Sequence, residues 1–192
     1  MSPALPDGEP APPDGALPGW YADVPPAADG LSVYLHVPFC RVRCGYCDFT
    51  TYTAAELGGR GDQASYARTA AREVALAARA LGAVGRARPV DTVFLGGGTP
   101  TLLPPGDLAL LVGAVRDELG LAPDAEVTTE ANPDSVDAAS LAALAAAGFT
   151  RVSFGMQSAV GHVLATLDRT HDPARIGQVV RWARDAGLAV SL

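Results

Sequence analysis

The sequence is poor in basic residues, in cysteine and in long apolar runs, and each shortage excludes a class of protein. Its 192 residues carry 14 Lys and Arg against 21 Asp and Glu, a formal net charge of -7. This balance argues against general nucleic-acid binding, which relies on basic patches that neutralise phosphates. No segment approaches the roughly 18 apolar residues of a membrane-spanning helix, and the N-terminus lacks the basic start and apolar core of an export signal. We therefore expect a cytoplasmic protein with no membrane span and no nucleic-acid partner.

All three cysteines of the chain lie in one short segment. Cys40, Cys44 and Cys47 have the spacing C-x3-C-x2-C within the sequence CRVRCGYC. Three thiolates at this spacing can hold three irons of a cubane [4Fe-4S] cluster and leave the fourth iron without a protein ligand. Ligation by four cysteines is the norm for clusters that only transfer electrons. An open iron is what chemistry at the cluster requires.

Three other interpretations of these cysteines remain open from the residues alone. Structural zinc needs a fourth nitrogen or sulfur ligand. The candidates for that ligand have no familiar zinc spacing: His36, Asp48, His162 and His171. A disulfide would leave one thiol over and would fit an oxidising compartment. Plain packing is the third alternative, since free cysteine behaves as a small hydrophobe, although Pro38 and Gly45 disfavour a continuous buried helix there.

Apolar strands alternate with amphipathic helices from residue 31 onward. We predict strands at 31–37, 91–95, 126–131, 151–154 and 188–192, with helices at about 63–84, 105–119, 136–148 and 173–187. Regular β/α alternation predicts parallel strands with crossover helices that cover the sheet. This α/β pattern suits either a (β/α) barrel or a doubly wound sheet. Residues 1–30 are rich in proline and alanine and are predicted to be a disordered leader.

The cysteine segment and the strand before it carry a family resemblance. Tyr34-Leu-His-Val-Pro-Phe-Cys40, followed by Cys44 and Tyr46-Cys47, resembles the radical S-adenosylmethionine (SAM) superfamily. Within it, the resemblance is to the branch of the oxygen-independent coproporphyrinogen III oxidases and HemW-type heme chaperones. It implies a [4Fe-4S] cluster on the three cysteines, with SAM chelated at the open iron. It also implies a partial (β/α) barrel of parallel strands, of which residues 31–192 are the N-terminal part, truncated at the C-terminus.

Polar or glycine-rich segments follow the predicted strands at their C-terminal ends, where β/α barrels carry their active sites. In the run GGGTPT at 96–101, missing side chains would let a polar ligand approach the backbone. A guanidinium fork is well shaped for a carboxylate such as that of SAM. The resemblance implies that SAM contacts these residues: Tyr34, Gly97, Gly98, Thr99, Glu130, Gln157 and Arg169. No residue is assigned a certain catalytic role.

Two positions depart from the family pattern. The oxidases resemble C-x3-C-x2-C-x-C, and Phe49 stands here at the position of the fourth cysteine. Asp168 stands where the family commonly has Gly before Arg-Thr, and we expect this acid to weaken the hold of Arg169 on the SAM carboxylate. The first departure favours a HemW-like chaperone that binds the cluster, SAM and, at full length, heme, and that works with an electron donor and heme-acceptor proteins. The alternative is an oxidase that decarboxylates coproporphyrinogen III in porphyrin biosynthesis.

Overall fold

The computed structural model describes residues 10, 12–25, 30–58 and 63–192 of the chain. The strands are, in chain order, β1 (Ser32–Val37), β2 (Phe39–Cys40), β3 (Tyr52–Thr53), β4 (Val90–Gly97), β5 (Leu121–Ala131), β6 (Arg151–Phe154) and β7 (Ala189–Ser191). The helices are α1 (Gln63–Ala83), α2 (Pro105–Leu119), α3 (Ala138–Ala146), α4 (Gly161–Thr166) and α5 (Ile176–Asp185). Within these described ranges, no helix is both long and apolar enough to cross a membrane.

Five parallel strands of the described chain form one sheet in the order β1-β4-β5-β6-β7. Each crossover therefore places the next strand on the same side of the previous one. A doubly wound sheet would reverse this direction at a switch point, whereas a (β/α) barrel continues in one direction. The predicted α/β fold with a parallel, barrel-type sheet is confirmed.

The two faces of the sheet differ in polarity because side chains alternate along each strand. In β1, Leu35 and Val37 are buried beneath the helices, whereas Tyr34 and His36 point to the opposite face. The helix-covered face forms the apolar core together with the inward residues of the helices. Fully buried members of this core include Leu95, Leu108, Leu111, Val115, Val127, Leu141, Leu144, Val152 and Val179. The opposite face carries the polar groups that approach the predicted site.

Some elements differ from the sequence-based prediction. β4 begins at Val90 and continues into the glycine run as far as Gly97, and β5 begins at Leu121 rather than at residue 126. Helix α4 was not predicted, because six residues are too few for a helical periodicity to show. The two-residue strands β2 and β3 were not predicted either. They pair in parallel, Phe39 with Tyr52 and Cys40 with Thr53, and this contact between the ends of a loop has no local sequence signal.

The described part of the leader lies against the end of α1. Arg86 Nη2 donates to the carbonyl oxygens of Tyr21 (3.3 Å), Ala22 (2.8 Å) and Val24, and the guanidinium lies 5.9 Å from the centre of the Tyr21 ring. Trp20 remains 61% exposed. Residues 1–9, 11 and 26–29 of the leader lie outside the described residues. The disorder of residues 1–30 and their separation from a core domain at 31–192 therefore stay predictions.

Candidate functional site

The carboxyl ends of the strands meet at one edge of the sheet. Val37 pairs with Gly97, and Ala131 pairs with Phe154, so the loops that follow these strands converge there. A cavity of about 300 Å³ opens at this edge. Nine of the ten predicted site residues line it: Cys40, Cys44, Cys47, Gly97, Gly98, Thr99, Glu130, Gln157 and Arg169. The fold thus brings together groups that lie up to 129 positions apart in the sequence.

Tyr34 lies beside the cavity and is not part of its lining. Its hydroxyl is 2.9 Å from His36 Nδ1, and His36 Nε2 is 2.7 Å from the carbonyl oxygen of Thr50. A carbonyl can only accept, so His36 Nε2 donates to Thr50 O, while Nδ1 shares the second hydrogen bond with the Tyr34 hydroxyl. The His36 ring therefore connects β1 to the loop that carries the cysteines. A contact between Tyr34 and SAM stays a prediction.

Tyr66 of α1 holds the same strand from its other side. Its hydroxyl donates to the backbone oxygen of His36 over 2.5 Å. Burial raises the pKa of Tyr66 to about 12, so the hydroxyl keeps its proton and remains a donor at any physiological pH. The Tyr66 ring also packs edge-on against Phe39, with 5.3 Å between the ring centres. These contacts fix the point at which β1 enters the cysteine loop.

The cysteine loop is braced from within by polar contacts. The Arg43 guanidinium donates to the Thr51 carbonyl and forms an ion pair with Glu56 at 3.0 Å. Glu56 in turn accepts from the Thr53 amide at 2.8 Å. The three cysteines are free and half-buried. Burial raises the pKa of Cys40, and hydrogen bonds from the side chains of Thr51 and Thr99 partly oppose this shift.

The glycines at the end of β4 are required by close packing. A Cβ atom on Gly97 would lie 2.6 Å from the His36 ring, and the φ of Gly97 is 109°. A Cβ atom on Gly98 would lie 2.5 Å from the backbone oxygen of Phe39. The amides of Gly98 and Thr99 donate to Val37 O (2.8 Å) and Phe39 O (2.7 Å). The glycine run therefore supports the first turn of the cysteine loop, and its binding of SAM stays a prediction.

Glu130 faces the same glycine run from the end of β5. Its Oε2 accepts from the Gly97 amide at 3.1 Å. Burial raises the pKa of the carboxyl group, and this hydrogen bond and the nearby His36 ring partly offset the effect. Glu130 lines the cavity, so its carboxylate can accept from a ligand that offers amino or hydroxyl donors.

Gln157 and Arg169 reach the cavity from the loops after β6 and α4. Gln157 is exposed and has a φ of 60°, a conformation that is uncommon for residues other than glycine. Arg169 Nη2 donates to Gly155 O at 2.6 Å, and Nη1 donates to Cys44 Sγ at 3.3 Å. The neighbouring Asp168 carboxylate faces Gly45: its Oδ2 lies 2.5 Å from the place of a Cβ atom on that glycine.

Sequence reasoning missed several polar residues of the lining. Asn132, Asp134 and Ser135 directly follow β5 and border the cavity, as does Ser153 of β6. Asn132 Oδ1 accepts from the Asp134 amide at 3.0 Å and so shapes this turn. Barrel active sites lie at the C-terminal ends of the strands, and this expectation applies to these residues as much as to Glu130. They had no motif of their own to mark them.

The residues present fit a cubane cluster better than a single zinc ion. In the part of the chain that the structure describes, no three His, Cys, Asp or Glu side chains are grouped closely enough to hold one metal ion. Both ring nitrogens of His36 are engaged by Tyr34 and Thr50, and His171 is 97% buried away from the cavity lining. Three thiols around one cavity, with a guanidinium donating to one sulfur, suit a larger cluster whose ligands sit on separate irons.

Comparison with known proteins identifies the family. The family model of the radical SAM superfamily matches residues 34–192, and the chain belongs to this superfamily. The chain is 54% identical to the heme chaperone HemW of Mycobacterium tuberculosis over 145 residues, 76% of the chain and 36% of that protein. It is 35% identical to the oxygen-independent coproporphyrinogen III oxidase of Bradyrhizobium diazoefficiens over 188 residues, 97% of the chain and 40% of that protein.

One solved structure agrees with this assignment. The structure of coproporphyrinogen III oxidase (HemN) from Escherichia coli, described as a radical SAM enzyme, matches with a TM-score of 0.70 and 25% identity over 88% of the chain and 38% of that protein. The predicted branch, with HemW and coproporphyrinogen oxidase relatives, is confirmed. Membership of the superfamily implies a [4Fe-4S] cluster and SAM. The chain spans between 36% and 40% of the length of these relatives.

Proposed function

We propose that this chain is part of a HemW-type heme chaperone, which binds a [4Fe-4S] cluster and SAM and delivers heme to acceptor proteins. The observation that supports the proposal is the cavity at the sheet edge, which three cysteines share with the glycine run, Glu130 and Gln157. The 54% identity to a heme chaperone supports the same assignment. The heme, the acceptor proteins, an electron donor and a cytoplasmic location are parts of the proposal.

The proposed roles of the residues follow from their positions. Cys40, Cys44 and Cys47 hold the cluster, which supplies low-potential electrons for reductive cleavage of SAM when both are bound. Glu130 accepts from the amino group or ribose hydroxyls of SAM with the carboxylate oxygen that Gly97 leaves free. Gln157 contributes an exposed amide at the cavity wall.

The second position after the third cysteine favours the chaperone over the oxidase. Phe49 lies two residues beyond Cys47, at the position of a fourth cysteine in the oxidase pattern, and its ring is 61% exposed at the cavity. Phe49 therefore offers no thiol where the oxidase pattern has one. The cavity mouth is instead apolar on this side, with Val42 and Tyr46 each 47% exposed nearby in the same loop.

The second candidate function is that of an oxygen-independent coproporphyrinogen III oxidase. The similarity to the HemN structure, at a TM-score of 0.70, and the 97% coverage of the chain by an oxidase relative favour it. This enzyme would decarboxylate two propionates of its substrate, and the SAM site would be the same.

One experiment separates the two functions. The full-length protein is reconstituted anaerobically with iron and sulfide, then incubated with coproporphyrinogen III, SAM and dithionite, and separately with heme. A chaperone gives a stable Soret band, transfers heme to an apo-acceptor and forms no protoporphyrinogen. Formation of protoporphyrinogen, lost in the Cys44→Ala variant, would establish the oxidase instead. Absence of both heme binding and turnover would overturn both candidates.

A further inference from the structure

The segment after α4 contacts the cysteine loop at one place. Gly45 N donates to Leu167 O at 3.2 Å, and Asp168 Oδ2 occupies the space in front of Gly45, 2.5 Å from the place of a Cβ atom. Arg169 Nη1 donates to Cys44 Sγ at 3.3 Å. Three consecutive residues thus contact Cys44 and Gly45, and they hold the middle cysteine of the motif from outside the loop.

The backbone of this segment directs the side chains of Asp168 and Arg169 toward Gly45 and Cys44. Helix α4 ends at Thr166, and Asp168 shortly after it lies in the left-handed region at a φ of 51°, which aspartate tolerates better than most residues. The reversal lets the Arg169 amide return to Leu164 O at 2.9 Å and turns its side chain into the cavity. The second amino group of Arg169 donates to Gly155 O at 2.6 Å. The guanidinium is therefore fixed between the loop after β6 and the sulfur of Cys44.

A fixed charge beside a ligating sulfur shifts the reduction potential of the cluster. One-electron reduction from the 2+ to the 1+ state of the core adds negative charge to a cluster that three thiolates already make negative. A hydrogen bond to a ligating sulfur and a nearby cation stabilise the reduced state and raise the reduction potential, and a nearby carboxylate lowers it. Arg169 supplies both the hydrogen bond and the positive charge, which raise the potential. Asp168 supplies the carboxylate, which lowers it.

We propose that Arg169 and Asp168 set the reduction potential of the cluster at Cys44 in opposite directions, with Arg169 as the positioning residue for that sulfur. The inference rests on the cluster site of the proposed function and goes beyond it, because it is independent of heme and of SAM. It applies equally to a chaperone and to an oxidase. The electron comes from a low-potential one-electron donor.

The test is a redox titration of the full-length, anaerobically reconstituted protein with dithionite and mediators, followed by electron paramagnetic resonance of the reduced cluster. SAM is left out, so that its binding does not enter the result. At the wild-type midpoint potential, we expect Arg169→Met to lower the ratio of reduced to oxidised cluster about tenfold, since a charged hydrogen bond is lost. We expect Arg169→Lys to lower it less. Asp168→Asn should raise the ratio about threefold, since its carboxylate is exposed and screened.

The control is Arg116→Met, which removes the same charge. Arg116 is exposed, pairs with Asp117 at 3.2 Å and lies at the end of α2 that leads into the start of β5, at the opposite edge of the sheet. The midpoint potential of the cluster in the Arg116→Met variant should equal that of the wild type. Unchanged potentials in Arg169→Met and Asp168→Asn overturn the inference. Should Arg169→Met fail to hold iron, an unchanged potential in Asp168→Asn suffices to overturn it. A wild-type protein that assembles no cluster overturns the proposed function as well.

Discussion

Gly98 lies directly against the backbone of Phe39: a Cβ atom on Gly98 would be 2.5 Å from the Phe39 oxygen and 2.9 Å from its carbonyl carbon. Backbone atoms cannot rotate away as a flexible side chain can. The contact joins the end of β4 to the residue before Cys40, so the geometry of the cysteine loop depends on a missing side chain. The glycine run is part of the support of the loop.

Gly98→Ala is expected to destabilise the protein by about 1–3 kcal/mol, as overpacking does in a rigid environment, and to reduce the amount of cluster assembled. The measurement is the free energy of unfolding from urea titration, together with iron per chain. Gly82→Ala is the matched control, because a Cβ atom there meets nothing within 4 Å and alanine is the better helix former by about 0.5–1 kcal/mol. Equal stability of the two variants would contradict the packing argument.

Cys44→Ala is expected to remove the cluster. The wild-type protein should contain about four irons and four sulfides per chain after anaerobic reconstitution, as a cubane requires, and the variant should lose both, because a cubane on two thiolates is poorly held. Thr166→Ala, which removes only a hydroxyl bonded to His162 O within α4, should retain the wild-type content. Zinc in place of iron, or iron that the Cys44 variant keeps, would contradict a cluster at these cysteines.

Much of the fold follows from sequence pattern. The alternation of apolar strands and helices predicted the parallel sheet, and β6 begins and ends at the predicted residues, 151 and 154. Glu130 and Gln157 were expected near the C-terminal ends of their strands, and both line the same cavity. The contacts between distant segments were not predictable, because Arg169 and Cys44 are 125 residues apart and each has a plausible role without the other. The short pairing of Phe39 with Tyr52 likewise depends on tertiary structure alone.

The backbone strain at Gln157 should lower the stability of the protein. A non-glycine residue in the left-handed region costs of order 1 kcal/mol, and Gln157 has a φ of 60° beside the cavity. Gln157→Gly should therefore raise the free energy of unfolding by up to about 1 kcal/mol and weaken SAM binding, because the amide is lost. Gln157→Ala is the control that loses the amide and keeps the strain. It should bind SAM as weakly as the glycine variant, by calorimetry on the reconstituted protein, without the gain in stability. Equal stability of the glycine and alanine variants would exclude strain at this position.

The carboxyl group of Glu130 should make the stability of the protein depend on pH. Burial raises the pKa of its carboxyl group in the folded state, so the folded protein binds more protons than the unfolded chain between the ordinary pKa of about 4.5 and the raised one. The contribution of Glu130 to the free energy of unfolding therefore falls as the pH rises through that window. Glu130→Gln removes this contribution, keeps an acceptor for the Gly97 amide and should weaken SAM binding.

Urea titrations from pH 4 to pH 7 measure this effect in the protein without cluster. The difference in stability between Glu130→Gln and the wild type should grow in favour of the variant as the pH rises, because only the wild type must ionise a half-buried carboxyl group. Glu118→Gln, an exposed position near the end of α2, removes the same formal charge and should show no such trend. Parallel pH profiles for Glu130→Gln and the wild type would mean that the Gly97 amide and His36 compensate the burial of the carboxylate in full.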